Sequence, residues 1–294
     1  MTAASLKFDE IGYWSELKLA IVAEYGERYT TAFKNTSLRK YYIDGFCGAG
    51  LHVSKDRGVA IEGSPTRALK VDPPFDGFYF IDLAAKKTSY LEGLYGNRED
   101  VHIHTGDATE YLTKTLLPQI QFEKFNRALC LLDPYGLHLD WDVIYQAGQS
   151  RAVDMFLNFP VMDMNRNAIW RHPEQVPDGG IQRMNRFWGD DTWRQAAYAE
   201  SAQTVLWGEP DLVKQDNEAI VGAFCERLKS VAGFKIVLPP LAMKNSTNAV
   251  VYYLCFASQS PVAERILTSI FDRYRATDNS TMETLAALKQ EINR

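Results

Sequence analysis

The stretch YYIDGFCGAG, residues 41–50, decides the fold class, because an apolar run ends there in an acid and a glycine-rich turn. The apolar run has the composition of a buried strand. Asp44 ends it, and three glycines follow: Gly45, Gly48 and Gly50. Glycine permits positive φ and lets another molecule approach the backbone closely. Glycines at the carboxyl end of a strand therefore predict a ligand site at that point.

Further apolar runs follow the turn, and each ends at a polar or turn residue: GFYFID (77–82), VHIHTGD (101–107), RALCLLDPYG (127–136) and AVDMFLNFP (152–160). Helix-like stretches separate them: AAKKTSYLEGLYG (84–96), ATEYLTKTLLPQ (108–119) and LDWDVIYQAG (139–148). Strands that alternate with helices at this spacing predict an α/β fold with a mostly parallel, doubly wound, Rossmann-like sheet covered on both faces.

Helices are also predicted on both sides of the glycine stretch. Trp14, Leu17, Ile21 and Tyr25 form one stripe of an amphipathic helix before it. After it, EGSPTRAL places Ser64 as a helix N-cap with Pro65 at the first helical position.

The carboxyl-terminal half begins with a change of pattern. Residues 161–215 contain several tryptophans among polar residues and no convincing strand, which predicts a mostly helical insertion between the two parts of the core, 1–160 and 216–294. This insertion is either a cap or lid over a site, with Trp188 and Trp193 available for stacking, or a small satellite core.

The last part of the chain predicts an edge for the sheet. An amphipathic helix capped by Asp216 or Asn217 precedes two apolar strands joined near residues 245–248, which is typical of an antiparallel hairpin. Two closing helices should follow, the second marked by a capping box at residues 280–283.

Composition excludes several classes of protein. The chain has 294 residues, 46% hydrophobic and 23% charged, so it is predicted to be globular and not disordered. Its net charge of -5 provides no general attraction to nucleic acid or anionic membrane. The four scattered cysteines suggest reduced core thiols with no metal site, and the amino terminus resembles no signal peptide. We expect a cytoplasmic protein without membrane attachment.

Carboxylates follow successive strands of the predicted sheet. They are Asp44, Asp82, Asp107 and Asp133. Ligands of open parallel sheets bind outside the carboxyl ends of the strands, so these acids should lie around one site. A single such acid is often only a helix N-cap, but four in succession are more than the fold requires.

The turn after Asp44 lacks the G-x-G-x-x-G spacing that seats a pyrophosphate, which disfavours a nicotinamide or flavin cofactor. A glycine turn without a phosphate grip suits a ligand with an amino-acid tail. Asp82 is placed to accept hydrogen bonds from ribose hydroxyls, and Asp107 from the amino group of an adenine. S-adenosyl-L-methionine contains all three parts, so it is the predicted cofactor.

The sequence resembles class I S-adenosylmethionine-dependent methyltransferases, and more closely the three-Cys-motif partner family of bacterial proteins. The matching segments are YIDGFCGAG, EGSP, FIDL, GDATEYL, LLDPYGLHLDW and LPPLAMKNSTNAVVYYLCFAS, which span nearly the whole chain. The resemblance implies the following cofactor-binding residues: Asp44, Phe46, Gly48, Gly50, Asp82, Leu83, Asp107, Ala108 and Asp133. It also implies a cysteine-motif protein as a partner.

The segment Asp133-Pro134-Tyr135-Gly136 resembles the Asp/Asn-Pro-Pro-Tyr motif of methyltransferases that act on exocyclic amino groups. An acceptor such as Asp133 can orient the amine, and the ring of Tyr135 can stack on a planar substrate. The motif here has one proline and an aromatic residue one position early. The alternative is an ordinary turn. We expect Asp133, Pro134 and Tyr135 to form the catalytic site.

Residues outside these motifs provide secondary candidates. Asn158, near the end of the next apolar run, is a candidate for a second polar wall, and His138 for a proton relay, although a lone histidine is more often structural. A nucleic-acid substrate should bind along basic residues expected to flank the glycine turn: Lys34, Arg39, Lys40, Lys55, Arg57 and Arg67.

The leading functional hypothesis is therefore a methyltransferase that acts on an amino group, with a nucleic-acid adenine as the most economical acceptor. The competing hypothesis is a binding module of a two-protein system that keeps the fold without transferring methyl groups. The third functional hypothesis is a nicotinamide-dependent oxidoreductase. The sequence leaves the oligomeric state open.

Overall fold

The computed structural model describes residues 6–200, 212–245 and 247–278. The strands of these ranges are β1 (Asp9–Ile11), β2 (Arg39–Asp44), β3 (Leu51–Ser54), β4 (Ala60–Glu62), β5 (Gly77–Asp82), β6 (Val101–Thr105), β7 (Asn126–Leu132), β8 (Val153–Phe159), β9 (Tyr198–Glu200), β10 (Leu212–Lys214), β11 (Ile236–Val237), β12 (Leu241–Lys244) and β13 (Val250–Ser258). The α-helices are α1 (Tyr13–Ala32), α2 (Ser64–Ala68), α3 (Ala85–Tyr95), α4 (Ala108–Tyr111), α5 (Trp141–Gln149), α6 (Val161–Asn167), α7 (Asp178–Trp188), α8 (Trp193–Ala197), α9 (Asn217–Ser230) and α10 (Pro261–Asp278).

The main sheet has the order β11-β13-β8-β7-β2-β5-β6, with β12 also paired to β13. Strands β2, β5, β6, β7 and β8 are mutually parallel, whereas β13 runs antiparallel to β8. Taken in chain order, the parallel strands read 3-2-1-4-5, which is the doubly wound order with its switch point at the first strand. The predicted Rossmann-like sheet with an antiparallel hairpin at its end is confirmed.

Helices cover both faces of this sheet because the strand side chains alternate between two hydrophobic clusters. On one face, Ile21 and Tyr25 of α1 pack with Phe156 of β8, together with α2, α3 and α10. On the other face, α5 and α9 pack on the sheet, with Ile144 and Phe224 fully buried. The predicted stripe on α1 is thus core packing.

Residues 161–215 begin with helices that are buried against the same core as α5 and α9. Phe187 of α7 stacks on Phe224 of α9 with ring centroids 5.5 Å apart, and it meets Phe159 of β8 edge-on at 5.7 Å. Trp188 and Trp193 are buried in this cluster, so neither is exposed to stack on a substrate. The segment also contains the strand pair β9 and β10, which the polar composition did not predict.

Two local predictions need correction, and a third lies outside the described residues. The first helix after the glycine turn is capped by Gly63, because Ser64 is its first residue and makes no capping hydrogen bond. The helix expected over 108–119 is a short α4 continued by a π-helical turn at Leu112–Leu116. The closing helix α10 is continuous to Asp278, and the predicted second closing helix lies outside the described residues.

A second, three-stranded sheet was not predicted at all. It pairs β1 in parallel with β3, and β3 with β4 as a hairpin directly after the glycine turn. The Glu16 carboxylate of α1 fixes this hairpin by accepting hydrogen bonds from Ser54 Oγ and Arg57 Nη2, each at 2.6 Å. Helix α1 and the β3–β4 hairpin are therefore held next to each other beside the glycine turn. Among the described helices, none is long and apolar enough to cross a membrane.

Candidate cofactor and methyl-acceptor site

The predicted acids lie at one edge of the main sheet. Asp44 ends β2 and Asp82 ends β5, while Asp107 and Asp133 follow β6 and β7 within two residues. The strands β7, β2, β5 and β6 are neighbours and parallel, so their carboxyl ends meet at the same edge. The fold therefore brings together the acids that the sequence separates.

The glycine turn crosses the ends of the neighbouring strands. The Gly45 amide donates to Leu131 O of β7 at 3.0 Å, and the Cys47 amide donates to Ile81 O of β5 at 2.9 Å. Gly48 and Gly50 have φ values of +63° and +71°. Only glycine adopts this left-handed conformation without strain, so the backbone of the turn depends on both residues.

The two glycines face different surroundings. A Cβ atom on Gly50 would lie 2.8 Å from Leu91 Cδ2, which places this residue against the core. A Cβ atom on Gly48 would have His52 Cε1 at 3.9 Å as its single described neighbour within 4 Å, which leaves space above the turn. Gly50 is therefore required by packing, whereas Gly48 leaves room that a ligand can fill.

Asp44 is completely buried below the turn. Its Oδ1 accepts a hydrogen bond from the Phe46 amide at 3.2 Å, whereas its Oδ2 has no hydrogen-bond partner within the described part of the chain. Burial raises the pKa of Asp44 to about 7, against the lowering effect of the Ser64 side chain and the Phe46 amide. A buried carboxylate oxygen without a partner is costly and suits a cationic or hydrogen-bond-donating ligand.

Asp82 connects the turn to the second strand. Its Oδ2 accepts from the Gly48 amide at 2.9 Å, and its Oδ1 accepts from the Ala84 amide at 2.8 Å. Each carboxylate oxygen retains a second lone pair for another donor. Leu83 beside it is 76% exposed, which leaves an apolar side chain uncovered at the strand end.

Asp107 fulfils the structural role that was weighed against binding. It is the N-cap of α4, and its Oδ1 accepts from the Glu110 amide at 2.9 Å. The residue is exposed, so its carboxylate can accept further hydrogen bonds, and Ala108 beside it is buried. Capping and ligand binding are compatible at this position.

Asp133 is held from two sides by side chains distant in sequence. Lys18 Nζ of α1 donates to its Oδ2, and Asn158 Nδ2 of β8 donates to its Oδ1. Lys18 is nearly completely buried and lies over the ring of Tyr252 at 5.5 Å. The expected polar contribution of Asn158 is therefore present, and its Oδ1 is buried without a partner among the described residues.

The rest of the Asp133 segment is a turn that is held in place by a hydrogen bond to α6. Gly136 has a φ of +64°, and the Leu137 amide donates to Asp163 Oδ2 of α6 at 3.1 Å. Pro134 is buried, whereas Tyr135 is 92% exposed. The turn thus presents the Tyr135 ring to the outside.

A cavity of about 60 Å³ lies between α1, the glycine turn and the Asp133 segment. Its wall includes Lys18 of α1, Phe46 of the glycine turn, Ser64 of α2 and Asp133 after β7. It also includes His52 of β3, whose Nδ1 is buried and has no partner among the described residues. Burial lowers the pKa of His52 from its usual value.

Sequence reasoning missed Lys18 and His52 for different reasons. Lys18 lies on the buried face of α1, four residues after Trp14 and three before Ile21, so a charged residue inside the apolar stripe was an available signal. His52 belongs to a hairpin whose short strands carry no clear period. The predicted relay His138 is exposed and does not line the cavity.

The predicted basic rim is not one surface. Arg39 and Lys40 begin β2, so they lie at the opposite end of this strand from Asp44, about 17 and about 13 Å away at ~3.3 Å per residue. Near the turn, Arg57 is paired with Glu16, and Arg67 Nε donates to Glu62 O at 2.9 Å. The prediction that all six basic residues flank the glycine turn is therefore wrong for Arg39 and Lys40, and nucleic-acid binding along the others stays a prediction.

No cluster of three potential metal ligands occurs in the described ranges. The thiols of Cys47, Cys130, Cys225 and Cys255 are all buried and free. His102 and His104 stack on Tyr79 and Tyr111 at centroid distances of 4.7 and 4.0 Å.

Comparison with known proteins finds no matching family model and no curated protein with a matching sequence. Solved structures do resemble the chain. One is a Legionella pneumophila protein with 12% identity and a TM-score of 0.48, over 86% of this chain and 91% of that one. An S-adenosylmethionine-dependent methyltransferase from Mesorhizobium loti has 12% identity and a TM-score of 0.36, over 80% and 97%. The plantazolicin methyltransferase, solved with SAH, has 10% identity and a TM-score of 0.34, over 84% and 86%.

Likenesses this distant assign no activity to the chain. Its fold class follows from its own strand order, and its function has to be argued from its own site.

Proposed function

We propose that the chain is a methyltransferase that binds S-adenosylmethionine at the carboxyl edge of the main sheet. The observation that carries the proposal is the arrangement of four acids after four neighbouring parallel strands, around a left-handed glycine turn. Ligands of doubly wound sheets bind at this edge beside the switch point, which here is β2. The turn lacks the spacing of a pyrophosphate site, so a dinucleotide is disfavoured.

The cavity fits the amino-acid tail of this cofactor. A zwitterionic tail needs one anionic and one cationic partner, and the wall presents the Lys18 ammonium, which retains N–H donors beyond the one that it gives to Asp133. Asp44 Oδ2, buried beside the Ser64 wall, is an unused acceptor for an ammonium group. The open space above Gly48 permits a ligand to approach the backbone.

The outer part of the edge fits an adenosine. Asp82 would accept from ribose hydroxyls, for which its two oxygens retain lone pairs. The exposed Leu83 would cover one face of the base, and the exposed Asp107 would accept from its amino group. The cofactor supplies an activated methyl group on a positively charged sulfur.

The acceptor that the site supports best is an amino group on a planar molecule, with a nucleic-acid adenine as the economical case. The exposed ring of Tyr135 supports stacking on such a molecule. The scattered basic residues do not supply a phosphate rim at the turn, so a nucleic acid would be held mainly by contacts at the Asp133 segment.

A second candidate is a binding module that recruits the cysteine-motif protein implied by the sequence resemblance. The observation that favours it is the state of Asp133, because Lys18 and Asn158 already engage both of its oxygens. A carboxylate saturated in this way orients an acceptor amine poorly.

Calorimetric titration with S-adenosylmethionine and S-adenosylhomocysteine tests the proposal. We expect binding by the wild type, and a loss of about 10-fold or more with Asp82→Ala, because hydrogen bonds to a charged group are removed. Gly48→Ala should weaken binding, whereas Gly58→Ala is its matched control, since Gly58 has a φ of +64° and nothing within 4 Å of its Cβ position. Equal binding by all four proteins, or no binding by the wild type, would contradict the cofactor site.

Transfer of labelled methyl groups to nucleic-acid and protein pools separates the two functions. Transfer supports the methyltransferase. Cofactor binding without transfer, with and without the partner protein, supports the module.

A further inference from the structure

A patch of aromatic and basic side chains lies at the edge of the main sheet where the parallel strands begin, opposite the edge that carries the acids. Strands β2 and β7 start there in register, with Arg39 beside Asn126. A 3₁₀ turn, Phe122–Lys124, leads into β7, and the Arg39 amide donates to Phe125 O at 3.0 Å. We call this surface the amino-edge patch, and it consists of Arg39, Phe122, Lys124, Phe125, Arg127 and Arg151.

Phe125 is exposed in a backbone conformation that its residue type does not favour. It ends the 3₁₀ turn with a φ of 56°, in the left-handed region where glycine or asparagine has less strain. Its side chain is 65% exposed, so burial in the core does not offset this strain. An uncovered aromatic ring at a strained position is explained by a ligand that covers it.

Phe122, which is 47% exposed, is held by two arginines. The guanidinium carbon of Arg127 lies 4.1 Å from the centroid of the Phe122 ring, and that of Arg151 lies 5.4 Å from it. Arg127 is itself fixed, because its Nη1 donates to Asn126 O at 2.7 Å. The Phe122 amide donates to Ser150 O at 3.1 Å, which fixes the turn against the backbone next to Arg151. An aromatic ring and guanidinium groups held in this way offer flat faces on which an unpaired base can stack.

The patch is positively charged, although the whole chain has a net charge of -5. Cations outnumber carboxylates in it and directly beside it: Arg39, Lys40, Lys124, Arg127 and Arg151 against Asp76 and Glu123. The two carboxylates pair with Lys40 and Arg151, and the other three cations have no carboxylate within ion-pair distance in the ranges that the structure describes. Lys124 Nζ donates to Pro118 O at 3.0 Å and keeps two further N–H donors. Such a local excess of positive charge attracts phosphate groups.

We propose that the amino-edge patch binds single-stranded nucleic acid, with unpaired bases on Phe125 and Phe122 and phosphates on Arg39 and Lys124. Exposed aromatic rings among cations are typical of surfaces that bind single strands without sequence preference. A duplex hides the faces of its bases, so it can use only the phosphate contacts. The inference goes beyond the proposed methyltransferase function and does not depend on it, because Arg39 lies about 17 Å from Asp44, at the other end of β2.

Two other partners fit the patch less well. A second copy of the chain in a two-fold contact would place like charges against each other, which is unfavourable. An anionic membrane would require apolar side chains to enter the lipid, whereas Arg127 and Arg151 lie over the Phe122 ring.

Fluorescence anisotropy with a labelled oligothymidylate of about 15 nucleotides tests the proposal, with no cofactor present. A uridine RNA strand and a DNA duplex of the same length are measured beside it. We expect the wild type to bind the single strands, and to bind the duplex at least about 5-fold more weakly because no base can stack. The ratio between the two single strands shows whether DNA or RNA is preferred.

Variants separate stacking from charge. Phe125→Ala should weaken binding of the single strands about 5-fold or more and leave its salt dependence unchanged. Arg39→Gln and Lys124→Gln should each reduce the slope of log affinity against log salt by about 0.7, measured between about 50 and 200 mM. The matched controls are Leu94→Ala, at a site of α3 that is 50% exposed, and Arg265→Gln, at an exposed site of α10. Both should bind as the wild type does.

Failure of the wild type to bind the single strands would overturn the proposal, as would binding that Phe125→Ala and Arg39→Gln leave unchanged. Equal affinity for the duplex would overturn the stacking on Phe125. Binding of phosphatidylserine vesicles in place of the strands, or self-association in sedimentation that Phe125→Ala abolishes, would assign the patch to another partner and overturn it too. Because no cofactor takes part, each of these outcomes leaves the methyltransferase proposal standing, and a protein that fails to bind S-adenosylmethionine leaves this one standing.

Discussion

Lys18 and Asp133 form an ion pair that joins residues 115 positions apart, the first on the amino-terminal helix and the second after β7. The side chain of Lys18 is 5% exposed and that of Asp133 36%, so the ammonium is almost removed from water. A buried ammonium is tolerated only with a compensating partner. The pair therefore fixes α1 over the cavity.

Removing one partner of this pair should destabilise the protein. Lys18→Met leaves Asp133 without its cation and removes the contact with the Tyr252 ring, so we expect the free energy of unfolding to fall by ~2 kcal/mol in urea denaturation. A double-mutant cycle with Asp133→Asn should give a coupling energy of ~1 kcal/mol or more. Lys114→Met, in an exposed pair with Glu110, is the control and should lower the free energy of unfolding far less than Lys18→Met does. A cycle without coupling would refute the ion pair.

Gly50 and Gly58 allow strain and crowding to be separated. Both have positive φ, but a Cβ atom would meet Leu91 Cδ2 at 2.8 Å on Gly50 and nothing within 4 Å on Gly58. We expect Gly58→Ala to cost ~1 kcal/mol of unfolding free energy from the backbone alone. Gly50→Ala should cost ~3 kcal/mol, because Leu91 is fully buried and cannot move aside. Equal losses in chemical denaturation would show that the turn is not packed against α3 as described.

The stability of the protein should depend on the protonation of Asp154. Burial raises its pKa to about 6 from 3.8, while hydrogen bonds from Ser258 and Tyr25 act in the opposite direction. The protonated carboxyl favours the folded state, so its contribution is present below the unfolded pKa and is lost as the pH rises through about 6.

Asp154→Asn removes this titration. Relative to the wild type, the variant should therefore gain ~1–2 kcal/mol of unfolding free energy between pH 5 and pH 8. Urea denaturation of both proteins at the two pH values measures the difference. Parallel pH profiles would mean that Asp154 is charged in the folded protein throughout this range.

The sharing of one core by α7, α9 and β8 predicts that residues 161–188 unfold with the sheet. Phe187→Ala should lower the free energy of unfolding by ~3–5 kcal/mol in a single transition, because it empties a fully buried site between Phe159 and Phe224. Phe125→Ala, at a site that is 65% exposed, should cost less than ~1 kcal/mol. Hydrogen exchange in wild-type α7 that is much faster than in β8 would instead indicate a lid.

Tyr135 should matter for the acceptor and not for the fold. Because its side chain is 92% exposed, Tyr135→Ala should change the free energy of unfolding by less than ~0.5 kcal/mol. Loss of base stacking should lower kcat/KM for a planar acceptor by about 10-fold or more, and Tyr135→Phe should retain most of it. Methyl transfer measured with labelled cofactor checks this. An unchanged kcat/KM in Tyr135→Ala would contradict the proposal that the methyl acceptor stacks on the Tyr135 ring.

The sheet was predictable because each of its β-α units is local. The apolar runs and the turns between them lie within about 40 residues of one another, and the strand bounds differ little from the runs: GFYFID is β5 as written. The positions of Asp44 and Asp82 then followed from the strand ends. The strand bounds and the positions of these two acids could therefore be predicted from local hydrophobic patterns alone.

The contents of the cavity were less predictable because they depend on distant contacts. The pairing of Lys18 with Asp133 and of Glu16 with Ser54 requires knowing where α1 lies over the sheet. The short hairpin that carries His52 has no period to reveal it. The predicted position of Arg39 beside the glycine turn was wrong for a similar reason. Arg39 is near Asp44 in the sequence but lies at the other end of the same strand.

The cavity depends on residues from distant parts of the chain: its wall is built from residues between Ile11 and Asp133, and the Tyr252 ring of β13 lies beneath the Lys18 ammonium of that wall. During synthesis, the glycine turn and its acids leave the ribosome long before β13 does. The nascent chain thus has the turn but lacks the ring that covers Lys18, so the cavity is complete only in an almost finished protein. A chain terminated before residue 250 should retain the sequence motifs and lose the pocket that they serve.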